Sequence, residues 1–268
     1  MLFRSLTSVL WLENVAPRDG TTMLIFNHGL IGDSVLSPEK VRVDFRRFAW
    51  LGSIAEDISA CYMWHTKGPK NLAEVKAYGQ INFGQTGAGS SSDIAQRILK
   101  NILGVKINEV HGYPGSAELR LAVERGEVDG SCGIVTYTYR QSWEASAKAG
   151  AFKILIQLGL EKAPVYGDAP NVYDYAKTPF QRDVLRLVFG QQMLGRPLLA
   201  PPGLMTDRRD ALRAGIERML RDPQFLAEAE KTQMEMNPTS VADVEALLTE
   251  FNSYSADVVD GARKAMGE

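Results

Sequence analysis

Between residues 81 and 135 the chain alternates short apolar runs with loops rich in glycine and serine and with amphipathic segments. INFG leads through QTGAGSSSD into IAQRILKN, KINEV leads through HGYPGS into AELRLAVERG, and EVDGSCGIV closes the series. This is the grammar of strand, helix and strand, with crossovers long enough for parallel pairing, so the chain is held to an α/β fold with helices on both sheet faces. In open sheets of that kind ligands sit beyond the carboxyl ends of strands. A site is therefore expected in the loops that follow Asn27, Gln85, His111 and Val128.

The flanking segments fit the same class. TTMLIFN, residues 21–27, is a continuous apolar run of the kind buried in a parallel sheet, and FAWLGSI (48–54) and SACYMWH (59–65) read as further strands. NLAEVKAYG is a short helix with a glycine stop. At the start of the chain Leu6, Val9 and Leu10 define a helix face that ends before Pro17 and Asp19-Gly20. Residues 161–178 carry three prolines and two glycines without periodicity and read as a long surface connection, with structure resuming near Arg182. Beyond Pro201 the pattern is helical. Leu212, Ile216, Met219 and Leu220 form one stripe, Asp222-Pro223 opens a second helix, and Ser240 caps a last one running through LLTEFNSYSADVVDGARKAM.

A length of 268 residues accommodates one large domain or two ordinary ones. Thirty Lys and Arg against thirty-two Asp and Glu give a net charge of −2, so no basic field exists to attract nucleic acid or an anionic membrane. No apolar run reaches the roughly 20 residues needed to span a bilayer. The N-terminal segment is broken by Ser5, Thr7 and Ser8, which makes a poor signal peptide. The three histidines stand apart, without partners at zinc spacing, so neither a metal nor another cofactor is expected. Cys61 and Cys132 lie in apolar runs that suit small buried residues, and two cysteines leave open whether they pair.

Two loops carry candidate binding chemistry. In FGQTGAGSSSD the glycines Gly87 and Gly89 permit positive φ and close backbone approach. The segment Thr86, Gly87, Ala88, Gly89, Ser90, Ser91 and Ser92 ends at a helix whose apolar face is Ile94, Ile98, Leu99, Ile102 and Leu103. Amides and hydroxyls converging at a helix N-terminus suit a carboxylate or phosphate, while Ser90 and Asp93 have capping-box spacing, Ser91 or Ser92 serve as cap equally well, and a plain capped turn is the equal alternative. Gly115 and Ser116 repeat the arrangement on a smaller scale before the next helix. Asp129, Asn27 and His28 stand at strand ends, able to bind a ligand or to bond neighbouring loops. A P-loop lysine, a complete G-x-G-x-x-G and a G-x-S-x-G elbow are all absent. Catalysis would fall to Ser131 or Cys132, with no base marked beside them, so the residues argue for binding more than for a reaction.

FGQTGAGSSSDIA resembles the glycine- and serine-rich segment of the Bug, or TctC-like, solute-binding proteins of tripartite tricarboxylate transporters. APRDGTTMLIFN, VDFRRFAWLGSI, YPGSAELRLAVERGEVDG and LLAPPGLMTDRRDALRAGIERMLRDPQFLAEAEKTQMEMNP are similar to further segments of that family, in the same order. The resemblance implies a type II periplasmic-binding-protein fold: two lobes with mixed, mostly parallel sheets and a ligand cleft between them. Residues 1–60 and 191–268 are expected in one lobe and 61–190 in the other. It implies a monomeric periplasmic protein, without enzymatic activity, that hands a small carboxylate to cognate membrane permease subunits, the loop from Thr86 to Ser92 holding the carboxylate. Family members carry a signal peptide, a first strand and an opposing glycine-rich loop ahead of the helix with which this chain begins, so an N-terminally truncated member, binding weakly by itself, is expected. Pro114, where the family favours lysine, and Gly130-Ser131-Cys132-Gly133, in place of a bulkier strand, depart from the family pattern. An α/β enzyme using Ser131 or Cys132 and a cytoplasmic ligand-sensing module are the alternatives.

Overall fold

The computed structural model describes residues 2–66, 69 and 71–267, apart from the side chains of residues 2 and 3. The chain divides into two compact units, Met1–Asp57 with Gly190–Val259 and Ile58–Phe189 with Asp260–Glu268. Residues 260–268 group with the second unit.

The first unit opens with α1 (Leu2–Asn14), β1 (Leu24–Ile25), α2 (Gly29–Leu36) and β2 (Ala49–Ser53). In α1 the buried stripe is Val9, Leu12 and Ala16 just beyond it, whereas Leu10, expected inside, is exposed. The continuous strand expected over 21–27 shrinks to two residues, because it is an edge strand bonded on one side only and Ile25 faces solvent. From Gly29 the chain forms α2 instead of a loop, with His28 at its cap position.

The second unit holds β3 (Ser59–Trp64), α3 (Leu72–Tyr78), β4 (Ile81–Gly84), α4 (Ser91–Asn101), β5 (Ile107–Val110), α5 (Ser116–Glu124) and β6 (Gly130–Val135). It continues with α6 (Thr136–Ser142), α7 (Glu144–Lys148), β7 (Phe152–Gln157) and α8 (Pro179–Phe189). Its sheet runs in the order β5-β4-β6-β3-β7. β4 is parallel to both β5 and β6, the product of the two helical crossovers, and β3 is antiparallel to β6 and β7. Cys61 and Cys132 are register partners on β3 and β6 and form a disulfide.

The chain then returns to the first unit as β8 (Pro197–Ala200), α9 (Thr206–Met219), α10 (Pro223–Lys231) and α11 (Val241–Ser253), and ends with α12 (Ala256–Met266). β8 inserts between β1 and β2, antiparallel to each. Antiparallel pairing therefore outnumbers parallel among the described residues, four pairings to two, which corrects the expectation of mostly parallel sheets. The reason is topological: β3 and β8 are the strands with which the chain crosses between units, and neither enters by a helical crossover in its own sheet. Leu51, Leu198 and Ala200 on one sheet face pack against Leu212 and Ile216 of α9. Behind the other, Phe26, Phe45 and Trp50 cluster, with the Trp50 indole N–H donating to the Phe45 carbonyl.

Two further expectations change. The final helix is two, broken at Tyr254-Ser255. Residues 161–178 are not a loose surface connection, since they hold two 3-10 turns and bury Ala163, Tyr166 and Val172. The Tyr166 hydroxyl lies 3.0 Å from the Ile58 carbonyl and 2.8 Å from that of Ile134, which ties the segment to the start of β3 and the end of β6.

Candidate functional site

β4 and β5 are parallel neighbours, so the loops at their carboxyl ends lie side by side in the second unit. The Gln85 amide N–H donates to the Val110 carbonyl, and the Gln85 side chain reaches His111 with 3.4 Å between Nε2 atoms. Gln85 is fully buried and its Oε1 has no partner among the described residues, which leaves a bare acceptor at the base of the loop.

The loop from Thr86 to Ser92 is shaped by its two glycines. Gly87 has φ 150° and Gly89 φ 72°, and a Cβ at either would meet nothing within 4 Å, so the need for glycine is conformational and the space beside both is open. Ser90 caps α4, its Oγ accepting from the Asp93 amide at 3.3 Å. Ser92 Oγ accepts from the Thr86 amide at 3.2 Å and lies 2.9 Å from Ser90 Oγ, so the hydroxyls knit the loop from within. The amides of Gly87, Ala88, Ser91 and Ser92 donate to no acceptor among the described residues. Four unspent N–H groups stand at the positive end of an eleven-residue helix, donors suited to a small anion.

Two neighbours complete the loop. Gly133, on β6 with φ 90°, lies so close that a Cβ there would stand 3.0 Å from both Ser91 Oγ and the Ser92 amide. Asp93, buried beneath the loop, accepts from the Gly89 amide at 2.7 Å and pairs with Arg97 at 2.7 Å. That hydrogen bond holds the Arg97 guanidinium above its ordinary pKa. Arg97 escapes a reading of sequence, whereas Gly133 enters it only as part of the Gly130–Gly133 departure from the family pattern. The single signal for Arg97 is its i,i+4 spacing from Asp93, and Gly133 becomes relevant only through strand pairing.

The remaining sequence candidates divide. Gly115 and Ser116 open α5 with no side-chain cap, on the same sheet edge as the glycine loop. Asp129 stands at the other end of the sheet. Its carboxylate accepts from the Asn82 amide at 2.8 Å and from the Asn82 side chain at 3.4 Å, joining the first turns of β4 and β6. Its partners there are structural. Asn27 and His28 belong to the first unit, where Asn27 Oδ1 accepts from the Gly29 amide and His28 occupies the cap position of α2. Burial lowers the His28 pKa, Asp57 partly opposes this and Arg196 reinforces it. Neither proposed nucleophile is available. Cys132 is in the disulfide, and fully buried Ser131 donates to the Gly84 carbonyl at 2.7 Å. No group of three or more His, Cys, Asp or Glu among the described residues could hold a metal ion, and no described helix is long and apolar enough to cross a membrane.

Two α/β units, one with an antiparallel and one with a mixed sheet, and a helix-capping glycine loop at a carboxyl sheet edge, define a periplasmic-binding-protein fold. Comparison with solved structures gives the particular kind. A TctC solute-binding protein from Polaromonas, solved without ligand, superposes with a TM-score of 0.69 at 15% identity over 92% of this chain and 80% of its own. MatC from Rhodopseudomonas palustris with bound malate gives 0.60 at 20% identity, over 95% and 84%. A second R. palustris protein, with adipate, gives 0.61 at 15%, over 98% and 83%. In sequence, a UPF0065 protein of Agrobacterium vitis is 23% identical over 216 residues, and one of Bordetella pertussis is 32% identical over 103. The chain spans 58% of the first relative's length and 30% of the second's. No family model matches it. The resemblance to TctC and Bug solute-binding proteins drawn from the sequence holds, and the chain has their fold.

Proposed function

We propose that this protein captures a small organic carboxylate in the periplasm for a membrane permease, acting as a monomeric solute-binding protein of the tripartite tricarboxylate transporter kind. One observation carries the reading: the amides of Gly87, Ala88, Ser91 and Ser92 have no acceptor among the described residues, and they lie in the loop and first turn at the N-terminus of α4 with open space at both loop glycines. Such a surface recognises a carboxylate by backbone donors and helix dipole, without a full counter-charge, which lets the ligand be released as well as held. Malate and adipate in the fold neighbours are of this chemical class. Thr86 to Ser92 form the core of the proposed site. Gly115 and Ser116 line the adjoining loop of the same unit, and Asn27 and His28, which belong to the first unit, are left out of the site. Asp129 is retained as a support of β4 and β6 rather than as a contact.

Isothermal titration and thermal-shift measurements against malate, adipate, citrate, glutamate and benzoate test the proposal. Saturable heat and a rise in melting temperature with a carboxylate, lost on replacing Gly89 by valine, are expected. Absence of both signals across the panel would sink the reading.

A further inference from the structure

The anion cradle has a carboxylate built into it. Asp93 is 2% exposed, its Oδ2 takes the Gly89 amide at 2.7 Å, and its Oδ1 takes Arg97 Nε at 2.7 Å. A negative charge at this place opposes the entry of a second one, because like charges a few ångströms apart in a partly buried site repel by an amount worth tenfold or more in affinity, roughly, at an effective dielectric constant near 20. Arg97 supplies the compensating charge. Arg97 is itself held: its Nη1 donates to the Met266 carbonyl at 3.2 Å and to that of Gly267 at 3.5 Å, and one turn further along α4 the Asn101 side chain donates to the Ala265 carbonyl at 2.8 Å. These carbonyls close α12, where a helix leaves its acceptors unsatisfied and where a cation is favoured. Gly267, with φ 83°, brings its backbone so near that an added Cβ would collide with Arg97 Nη1. All of these residues lie in the second unit.

We infer that Arg97 is the positioning residue that keeps the glycine loop competent for anions: it neutralises Asp93, and the closing turn of α12 at residues 265–267 fixes it in place. The inference rests on the carboxylate-binding reading of the loop. Arg97 does not touch the ligand. It acts through Asp93, so the affinity of the loop for a carboxylate depends on a helix end far away in sequence. The relay also explains why the second unit closes with residues 260–268 rather than with α8.

The test is titration of the full chain with malate and adipate, with thermal unfolding alongside. Arg97→Met leaves Asp93 uncompensated and is expected to weaken binding about tenfold. Arg97→Met combined with Asp93→Asn removes both charges and is expected to return the affinity to within about threefold of wild type, although it restores none of the lost contacts to α12. Mere packing support would leave the double variant as weak as the single one, and that result overturns the inference, as does an Arg97→Met protein that binds like wild type. Should Arg97→Met fail to fold, Asp93→Asn alone decides. Its remaining side-chain oxygen still accepts from Gly89, so equal or tighter binding supports the relay and clearly weaker binding refutes it. A wild-type protein that binds no carboxylate of the panel overturns the carboxylate reading together with this inference, whereas a wild type that binds and variants that do not differ overturn this inference alone.

Discussion

Removing the disulfide by Cys61→Ala and Cys132→Ala should strongly destabilise the second unit while leaving the first intact. The two cysteines face each other across β3 and β6, are 0% and 4% exposed, and stand 71 positions apart in sequence. A cross-link closing a loop of that length removes enough entropy from the unfolded chain to stabilise the fold by about 4 kcal/mol in the loop-closure model, and native bridges commonly deliver about 2–4. For a unit of this size each kcal/mol moves the melting temperature by roughly 3–5 °C, so a fall on the order of 10 °C is expected in the transition of the second unit. The bridge belongs wholly to that unit, so the transition of the first should stay where it is. Scanning calorimetry of wild type and double variant measures both transitions, and thiol titration of the denatured, unreduced protein measures the bond itself. No free thiol is expected in protein made in an oxidising compartment and two in protein kept in a reducing cytosol. Two thiols in protein exported to the periplasm, or a double variant that melts with wild type, would refute the reasoning. Burial of both sulfurs adds a kinetic corollary: reductant should act only after unfolding begins.

Gly133→Ala places a Cβ about one hydrogen-bond length from Ser91 Oγ and the Ser92 amide, in a left-handed conformation. A stability loss of about 1–2 kcal/mol and carboxylate binding weakened about tenfold are expected, and unchanged titration would detach Gly133 from the site. Tyr166→Phe removes the hydroxyl's bonds to the carbonyls of Ile58, which keeps the Thr136 amide, and Ile134, and should cost about 0.5–1.5 kcal/mol by urea unfolding, with a neutral result showing that water replaces the hydroxyl. His28 has a folded pKa held below 6.5 chiefly by burial, so the unfolded chain takes the proton first. Its contribution to the first unit is intact above about pH 6.5 and falls as the pH drops below that value. The urea midpoint should decline between about pH 7.5 and 5.5 in wild type and less in His28→Gln, and parallel declines in the two proteins would rule His28 out as the source.

The parts of the fold legible in the sequence are those whose causes are local. Ser90, Asp222 and Ser240 are read as helix caps because a short polar side chain before an apolar-periodic run has few other uses, and each accepts from the backbone of its own first turn. The parallel run from β4 to β6 is legible because helix and strand periods alternate within a single stretch. β8 carries no comparable sign. PLLA is four buried residues, and whether they pair in parallel or antiparallel depends on strands near residues 24 and 50 that no local pattern ties to it. Tyr166 was hidden for the same reason, since its two acceptors lie 108 and 32 residues away.

The candidate site divides along the same line. Gly87 and Gly89 announce themselves, because positive φ selects glycine whatever the rest of the fold does. Asp93 shows how a correct local reading can mislead. Its spacing from Ser90 marks a capping box, whose acid would bond the cap residue's own amide. The carboxylate instead takes the amide one residue earlier, at Gly89, so the amide count available to a ligand differs from what the motif implies. Its charge also bears on a ligand in a way no cap analysis anticipates. If the loop binds an anion as proposed, the charge balance of Asp93, Arg97 and the carbonyls at residues 266 and 267 sets its affinity, a balance held by a contact across 169 residues.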